Sequence, residues 1–352
     1  MMDPVLSVRD LRTYFHTPEG TVKAVNGISY DLYPGQTLGI VGESGCGKSV
    51  HALSILGLIP TPPGKIEGGQ ILFKPDANTP AKDLAGAKTK AFKDIRGVKI
   101  AMIFQEPMTS LNPVLTIGEQ IAESIRFHAG ASHDKAWKRA IELLEEVGIP
   151  NAAKRVHDYP HAFSGGMRQR AMIAMALAMK PAILIADEPT TALDVTVQAQ
   201  ILDLMKKMQN EYKMALILIT HNMGVVAETC DDVIVMYAGK PVEIGPVDKI
   251  FAAPQHPYTW GLLNSIPKLN RRHERLESIE GQPPNLADDL KGCLFNDRCR
   301  FRWQRCQDEE PGLIKDVSGR SCRCWLYDKD SAKSAPQKIL DDASKTLALT
   351  MP

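Results

Sequence analysis

The chain has 352 residues, of which 44% are hydrophobic and 24% are charged, and its 42 Lys and Arg residues nearly balance 41 Asp and Glu residues. The formal charge of +1 leaves no electrostatic footprint for nucleic acid, so we expect no nucleic-acid partner. The apolar run Ala171–Met179 is much shorter than the roughly 20 residues that a membrane helix needs, and Met1–Arg12 lacks the apolar core of a signal peptide. We therefore expect the protein to stay in the cytoplasm.

The hydrophobic pattern predicts strands and helices that alternate along the chain. Such alternation is typical of an α/β protein with a mostly parallel sheet. A glycine-rich loop between the third strand and the first helix is typical of phosphate binding. The long helical stretch after the fourth strand predicts a helical insert. The predicted strands are Leu6–Val8, Ile28–Leu32, Thr37–Val41, Ile100–Phe104, Ile183–Ala186, Leu216–Thr220 and Asp232–Tyr237, and the predicted helices are Lys48–Leu58, Ile117–Val147, Met167–Met179 and Val195–Tyr212.

The composition of the chain changes near residue 250. A segment that contains Pro and His residues, Pro254–Pro284, leads to a group of cysteines, and the sequence from Asp328 onward is polar and without a clear period. We interpret residues 1–250 as one domain, with a helical insert at about 106–165, and residues 251–327 as a small appended domain. Residues 328–352 are expected to form a flexible tail.

Seven cysteines are distributed unevenly along the chain. Cys46 and Cys230 stand alone, whereas the other five lie between residues 293 and 324. In a reducing cytoplasm such a cluster indicates metal binding before it indicates disulfides. Four thiolates can hold Zn²⁺ or an iron–sulfur cluster, and the wide spacing favours iron–sulfur because zinc sites favour close C-x₂₋₄-C pairs. The clustered cysteines are Cys293, Cys299, Cys306, Cys322 and Cys324.

The glycine-rich loop at residues 42–49 matches the G-x-x-x-x-G-K-[ST] pattern. Its glycines let backbone N–H groups turn towards phosphate oxygens, aided by the positive end of the following helix. We assign Lys48 to the β- and γ-phosphates and the Ser49 hydroxyl to one Mg²⁺ position. The alternative is a glycine-rich turn that matches by chance. The residues predicted to contact the phosphates are Gly42, Glu43, Ser44, Gly45, Cys46, Gly47, Lys48 and Ser49.

An acidic pair follows the apolar run Ile183–Ala186. Asp187 is placed at the carboxyl edge of the predicted sheet, where open α/β sheets bind their ligands, and we expect it to hold Mg²⁺. Glu188 is positioned to polarise the attacking water, because phosphoryl transfer needs an oriented nucleophile. A helix cap is the alternative interpretation.

The segment Phe163-Ser164-Gly165-Gly166-Met167 resembles the signature of ABC ATPases. Three further features occur in the same order along the chain as in that family, namely Gln105, the turn Thr191–Asp194 and His221. Singly they have simple explanations, such as a loop amide, a helix N-cap and an imidazole at a strand end. Their joint occurrence with the phosphate loop and the acidic pair implies an ABC nucleotide-binding domain with a helical subdomain.

The resemblance implies a role for each of these residues. Ser164, Gly165 and Gly166 bind the γ-phosphate of an ATP held by a partner subunit, and the N–H groups of such a helix start suit an anion. Gln105 senses the γ-phosphate, contacts Mg²⁺ and acts in catalysis with Glu188. In addition, Asp194 communicates across the dimer, His221 supports the γ-phosphate and the catalytic carboxylate, and Phe15 or Tyr14 stacks on adenine.

Three segments resemble the oligopeptide, dipeptide and nickel importer branch of the family. Phe104–Pro113 is similar to its joint with the membrane-spanning subunit, and His256–Thr259, followed by Leu262-Leu263 and Ile266-Pro267, is similar to the start of its C-terminal extension. The cysteines resemble the pattern of dipeptide-importer ATPases that carry an iron–sulfur cluster. This implies a [4Fe–4S] cluster, with Zn²⁺ as the alternative, on Cys293, Cys299, Cys306 and either Cys322 or Cys324, of which the family pattern favours Cys324.

The resemblance also implies a function. The chain would be the ATP-hydrolysing subunit of an importer for dipeptides or oligopeptides, at the cytoplasmic face of the inner membrane. Its partners would be a second homologous ATPase, two membrane-spanning permeases and, through them, an extracytoplasmic binding protein. Nickel chelates, opines or other small solutes are alternative cargoes. The alternative classes are a soluble ABC ATPase outside transport and a regulatory subunit without turnover.

Overall fold

The computed structural model describes residues 3–106, 110–191, 193–265, 279–332 and 334–347. The Ile266-Pro267 match, Ala192 of the turn before Asp194 and residues 107–109 of the predicted permease joint lie outside the described residues. In the part of the chain that the structure describes, no helix is both long enough and apolar enough to cross a membrane.

Strands and helices alternate through most of the chain, so the predicted α/β class is confirmed. The strands are β1 (Leu6–Thr17), β2 (Gly20–Leu32), β3 (Thr37–Val41), β4 (Gly64–Phe73), β5 (Lys82–Asp83), β6 (Ile100–Ile103), β7 (Ile183–Asp187), β8 (Ala215–Thr220), β9 (Asp232–Tyr237), β10 (Lys240–Pro246), β11 (Ile314–Lys315) and β12 (Ser321–Cys322). The helices are α1 (Lys48–Ile55), α2 (Ile117–Ala129), α3 (His133–Glu146), α4 (Ala152–Arg155), α5 (Gly165–Leu177), α6 (Val195–Tyr212), α7 (Met223–Thr229), α8 (Val247–Ala252), α9 (Pro257–Asn264), α10 (Gln304–Asp308), α11 (Lys329–Ala332) and α12 (Gln337–Thr346).

The chain divides into two compact units, and the first consists of Met1–Ser7, Asp31–Thr37 and Leu72–Ile219. Here β6, β7 and β8 pair in parallel. Every residue of β7 is buried, as expected for a parallel strand that is covered on both faces. The carboxyl end of β7 therefore brings Asp187 to the edge of these strands.

The helical insert also belongs to the first unit. Thr116 caps the N-terminus of helix α2, and its hydroxyl accepts a hydrogen bond from the backbone N–H of Glu119 at 3.2 Å. Its apolar face, which includes Ile121 and Ile125, packs on α3, and Leu143 and Leu144 of α3 are fully buried. Leu and Ile at helical spacing are thus explained by the packing between these two helices.

The second unit consists of Val8–Tyr30, Leu38–Ile71 and Thr220–Pro352. Strand β3 pairs with β9 in parallel, whereas β10 pairs with β9 in antiparallel orientation. The two residues between β9 and β10, Ala238 and Gly239, both have positive φ, as a tight hairpin turn requires. The predicted strands β3 and β9 are thus parallel, as are β6, β7 and β8, and the antiparallel β10 was not predicted because the short hairpin turn was not recognised.

The C-terminal region continues the strands of the second unit. Strand β12 pairs with β10, so that Cys322 lies opposite Glu243, and β11 pairs with β12. These pairings join residues 314–322 of the predicted appended domain to β10 of the predicted first domain, and the boundary near residue 250 stays a prediction. Each added strand has only two residues, which is too short to give a readable alternation of side chains.

The segment expected to be a loose tail contains α11 and α12. Ala343 and Leu347 are buried in an apolar cluster with Phe301 and Trp325, and Leu340 packs against it. Apolar residues at helical spacing explain this packing, although the segment as a whole is polar.

Candidate nucleotide-binding site and cysteine cluster

The phosphate loop lies between β3 and α1 in the second unit. Lys48 is buried, and its Nζ donates hydrogen bonds to the carbonyl oxygens of Gly42 and Glu43, at 2.8 and 3.0 Å. Ser44 and Gly45, at the tip of the loop, are exposed. The ammonium group of Lys48 is therefore held by its own loop, beside the backbone that is predicted to surround phosphate.

Two glycines of the loop occupy positions that exclude a side chain. Gly47 has φ +101°, and a Cβ there would lie 2.0 Å from the carbonyl oxygen of Ala24 in β2. Gly42 has φ +153°, and its Cβ would lie 2.2 Å from the carbonyl oxygen of Met236 in β9. The loop is thus packed directly on the backbone of two strands. Glycine is required at these two positions by this packing, in addition to the close approach of phosphate.

Two side chains that the sequence analysis did not identify contact the loop. The hydroxyl of Tyr258, at the start of α9, accepts a hydrogen bond from the backbone N–H of Glu43 at 2.8 Å. Arg298 donates two hydrogen bonds to the Glu43 carboxylate, at 2.7 and 2.9 Å. These partners lie 215 and 255 residues from Glu43, so no local pattern indicates them, although Tyr258 lies within the recognised His256–Thr259 match.

The predicted catalytic carboxylate lies in the first unit, directly after β7. The Glu188 carboxylate accepts hydrogen bonds from Gln105 Nε2 at 3.0 Å and from the Thr191 hydroxyl at 2.9 Å, both on Oε2. Glu188 has φ +48°, a left-handed conformation that is uncommon for residues other than glycine and that concentrates at functional sites. The structure therefore brings Gln105 and Glu188 together, adds Thr191 to them, and leaves Asp187 buried at the end of the strand.

Ser164 and Asp194 lie at the N-termini of neighbouring helices of the first unit. Ser164 caps α5 by accepting a hydrogen bond from the backbone N–H of Met167 at 3.3 Å, and Asp194 caps α6 in the same way through Val197 at 2.9 Å. Both Ser164 and Asp194 are exposed. The simple capping roles are thus present, and the surfaces predicted to face a second subunit remain accessible. Gly165 and Gly166 open α5, where a Cβ on Gly166 would lie 2.8 Å from Val197 Cγ1.

The remaining predicted nucleotide contacts lie in the second unit. His221 follows β8 and is exposed, directly before Asn222, which caps α7. Phe15 and Tyr14 are adjacent and half-buried in β1. The Tyr14 hydroxyl donates to Asn26 Oδ1 at 2.9 Å, and Phe15 packs over the backbone of Gly64, so neither ring is placed by a contact that identifies the adenine site.

Four of the five clustered cysteines line one small cavity that is partly open to solvent. Burial raises the pKa of Cys293 to about 11 and that of Cys299 to about 12. Trp303 and Asn296 also line this cavity, and within the described residues the Trp303 indole N–H and Asn296 Oδ1 are buried without a hydrogen-bond partner. The cysteines that line the cavity are Cys293, Cys299, Cys306 and Cys324.

Cys322 occupies a different environment. It lies in β12, is fully buried opposite Glu243 of β10, and does not line the cavity. Among the described residues, no three His, Cys, Asp or Glu side chains converge tightly enough to hold a single metal ion.

Known proteins match this chain in sequence and in fold. The ABC transporter family matches residues 25–191, and the family described as "Oligopeptide/dipeptide transporter, C-terminal region" matches residues 242–306. The dipeptide transport ATP-binding protein DppD of Bacillus subtilis is 51% identical over 93% of this chain and 96% of its own length. The oligopeptide transport ATP-binding protein OppD of the same organism is 49% identical over 98% of this chain and 95% of its own length.

A solved structure agrees with these matches. The dimeric, post-hydrolysis ATP-binding cassette MJ0796, bound to ADP and Pi, superimposes with a TM-score of 0.60 at 27% identity and covers 69% of this chain and 98% of its own. The phosphate loop, the Gln105–Glu188 pair and the exposed Ser164 cap described above are the local features that accompany this likeness. This chain belongs to the ABC transporter ATP-binding proteins that carry the oligopeptide/dipeptide type of C-terminal region.

Proposed function

We propose that this chain is the ATP-hydrolysing subunit of an importer that moves dipeptides or oligopeptides across the cytoplasmic membrane. The observation that carries the proposal is the Glu188 carboxylate, which Gln105 and Thr191 orient in a chain whose C-terminal region is of the oligopeptide/dipeptide type. The names of DppD and OppD, as dipeptide and oligopeptide transport ATP-binding proteins, support the cargo. The protein would be peripheral, at the cytoplasmic face of the inner membrane.

The residues of this chain would act through position and charge, since phosphoryl transfer needs little covalent chemistry from the protein. Glu188 Oε2 accepts hydrogen bonds from Gln105 and Thr191, and these contacts fix the carboxylate that would orient the water attacking the γ-phosphate. Lys48 would exchange its two loop carbonyls for β- and γ-phosphate oxygens. His221 would support the γ-phosphate, and Phe15 or Tyr14 would stack on adenine.

Mg²⁺ binding fits the donors that the chain offers. The hydroxyl of Ser49, the carboxylate of Asp187 and the amide oxygen of Gln105 are hard oxygen ligands of the kind Mg²⁺ prefers. When bound, the ion would neutralise charge that develops on the phosphates. In this arrangement Gln105 also hydrogen-bonds Glu188 through its amide nitrogen, so one side chain would serve both the metal and the catalytic carboxylate.

Two such ATPase subunits would enclose two ATP molecules between them. The exposed Ser164 cap, with Gly165 and Gly166, would bind the γ-phosphate held by the partner, and Asp194 would face the same interface. Because ATP contacts both subunits only in the closed dimer, its binding favours closure and its hydrolysis favours opening. We propose a second, homologous ATPase, two permeases and an extracytoplasmic binding protein as partners.

The importer proposal predicts a specific loss of uptake. In a host without other peptide importers, deletion of the gene should abolish uptake of a radiolabelled dipeptide, and the unchanged chain should restore it. The chain with Lys48→Ala should not restore uptake, because it lacks the ammonium group that we propose as the phosphate ligand. Lys65→Ala, which changes a mostly exposed lysine, is the matched control and should restore it.

A second measurement distinguishes the importer subunit from a soluble ABC ATPase that acts outside transport. The tagged chain should co-purify from detergent-solubilised membranes with two membrane-spanning proteins and a second ATPase. Normal dipeptide uptake without the gene, together with co-purification of ribosomes or DNA, would show that the chain acts outside transport. If the gene were needed for uptake of another solute and not for uptake of the dipeptide, the chain would still be an importer subunit and only the proposed cargo would be wrong.

We further propose that Cys293, Cys299, Cys306 and Cys324 hold a [4Fe–4S] cluster. These four thiols line one cavity, and the Trp303 N–H there has no partner among the described residues and is available to a sulfur acceptor. The wide sequence spacing of the four cysteines suits an iron–sulfur cluster better than Zn²⁺, because zinc sites favour close C-x₂₋₄-C pairs. Bound there, a cluster would supply a structural cross-link in a region with a small apolar core.

The cluster proposal is tested by two cysteine variants. Cys324→Ser should lose most of the iron and the brown colour of the anaerobically purified protein, because Cys324 lines the cavity. Cys322→Ser is the control and should keep both, because Cys322 lies in β12 outside the cavity. Colourless protein with stoichiometric zinc would contradict the cluster, and iron loss only in Cys322→Ser would reverse the ligand assignment.

A further inference from the structure

The phosphate loop is fixed from outside by the C-terminal region. Tyr258 is fully buried, and its hydroxyl accepts the backbone N–H of Glu43 at 2.8 Å. Helix α9 holds Tyr258 in place, because His256 Nδ1 accepts the backbone N–H of Tyr258 at 3.1 Å. The buried Glu243 carboxylate in turn accepts the backbone N–H groups of Gln255 and His256, at 2.8 and 2.9 Å. A chain of hydrogen bonds thus connects β10, α9 and the loop.

Arg298 makes the second contact with the loop, and its side chain is buried and held by several hydrogen bonds. Its side chain is 5% exposed and donates two hydrogen bonds to Glu43, with its third guanidinium nitrogen, Nε, bonded to the carbonyl oxygen of Glu280 at 2.9 Å. The guanidinium also lies 5.7 Å from the ring centre of Tyr237 and 5.9 Å from that of Phe295. Bidentate pairing in a poorly hydrated site combines directional hydrogen bonds with a strong electrostatic attraction.

Glu43 is therefore held on both sides. Inside the loop its carbonyl oxygen accepts Lys48 Nζ, and outside it its side chain and its N–H are bound by Arg298 and Tyr258. When Lys48 turns to a phosphate, the inner contact is lost and the outer contacts remain. The outer contacts are thus the ones that can keep the loop in a binding-competent shape.

We infer that Arg298 is a positioning residue for ATP binding, which acts by fixing Glu43 and, through it, the phosphate loop. Arg298 does not itself need to touch the nucleotide. A loop without this restraint samples more conformations, and the apparent affinity falls in proportion to the fraction that is competent to bind. The expected signature is weaker ATP binding with little change in the rate of the chemical step once ATP saturates the site.

The test measures ATP affinity of the purified full chain with a fluorescent ATP analogue. Arg298→Met should raise the dissociation constant about tenfold, within the usual range for coupled sites. Glu43→Gln should raise it by a similar factor, and Arg298→Lys, which keeps the charge but not the bidentate geometry, should lie between. The double variant with both Arg298→Met and Glu43→Gln should be no weaker than either single variant, because both changes break one contact.

Arg323→Met is the matched control. Arg323 is also largely buried in the C-terminal region, but its side chain bonds Glu310 and the carbonyl oxygens of Pro241 and Pro311. It should lower the thermal midpoint without changing ATP affinity. Equal loss of affinity in Arg323→Met and Arg298→Met, or additive losses in the double variant, would show a general structural role and overturn the inference. At saturating ATP, hydrolysis by the assembled complex with Arg298→Met should be close to that of the unchanged protein, and a large loss there would also overturn it.

Discussion

Replacing Glu188 by Gln is expected to lower the rate of ATP hydrolysis by about 10²- to 10⁴-fold while ATP binding is retained. The amide keeps the size of the carboxylate and its contacts with Gln105 and Thr191, but it cannot accept a proton from the attacking water. Phosphate release from the assembled importer measures the rate, and titration with a fluorescent ATP analogue measures binding. The prediction concerns chemistry alone, because the substitution leaves the phosphate loop unchanged.

Glu145→Gln is the control for Glu188→Gln. Glu145 is exposed on α3, so this variant changes the same chemical group without affecting the acidic edge after β7. It should hydrolyse ATP at the rate of the unchanged protein. Full activity of Glu188→Gln in the assembled complex would mean that another group orients the water, and the catalytic assignment would then be wrong.

Gly47→Ala is expected to have the largest effect on folding stability. The new Cβ would lie 2.0 Å from the Ala24 carbonyl oxygen, and φ at this position is +101°. The left-handed conformation costs about 1–2 kcal/mol and crowding of a packed site about 1–3 kcal/mol, so the free energy of unfolding should fall by roughly 2–5 kcal/mol. Urea unfolding followed by circular dichroism measures this change.

Gly35→Ala separates the two causes. Gly35 also has positive φ, +76°, but a Cβ there meets no atom within 4 Å among the described residues. It should therefore show only the conformational cost, about 1–2 kcal/mol. ATP binding should be lost in Gly47→Ala and kept in Gly35→Ala. Equal destabilisation of the two variants would mean that the backbone of β2 at Ala24 moves aside for the new Cβ, and the predicted crowding would then be wrong.

The sequence was most informative where a local pattern and its physical cause coincide. Val195–Tyr212 and Asp232–Tyr237 are a helix and a strand over the predicted ranges, because one has a helical period and a capping Asp194 and the other is a short buried run. Motif order identified both Gln105 and Glu188 as candidate site residues, but it did not predict the hydrogen bond between them, which joins residues 83 positions apart. Thr191, which shares Glu188 with Gln105, lay within the recognised turn without a role of its own.

The structural features that the sequence did not indicate mostly depend on contacts between segments that are distant along the chain. The bond from Arg298 to Glu43 joins two segments 255 residues apart, and neither side chain stands out in its own segment. Strands of two residues, such as β12, are formed by the partner strand β10 and not by their own propensity. Helix α12 was missed for another reason, since its few apolar residues make only a narrow stripe on a polar helix.

The position of α12 also bears on how the protein is handled in the laboratory. Its Ala343, together with Leu347, packs in the same apolar cluster as Cys306, with Cys299 and Cys324 at the edge of that cluster. Trimming the chain before residue 337, as is often done to remove polar ends before crystallisation, would remove Ala343 and Leu347 from this cluster. A shortened chain is therefore expected to unfold at a lower temperature than the full chain, because it loses buried apolar area beside the cysteines.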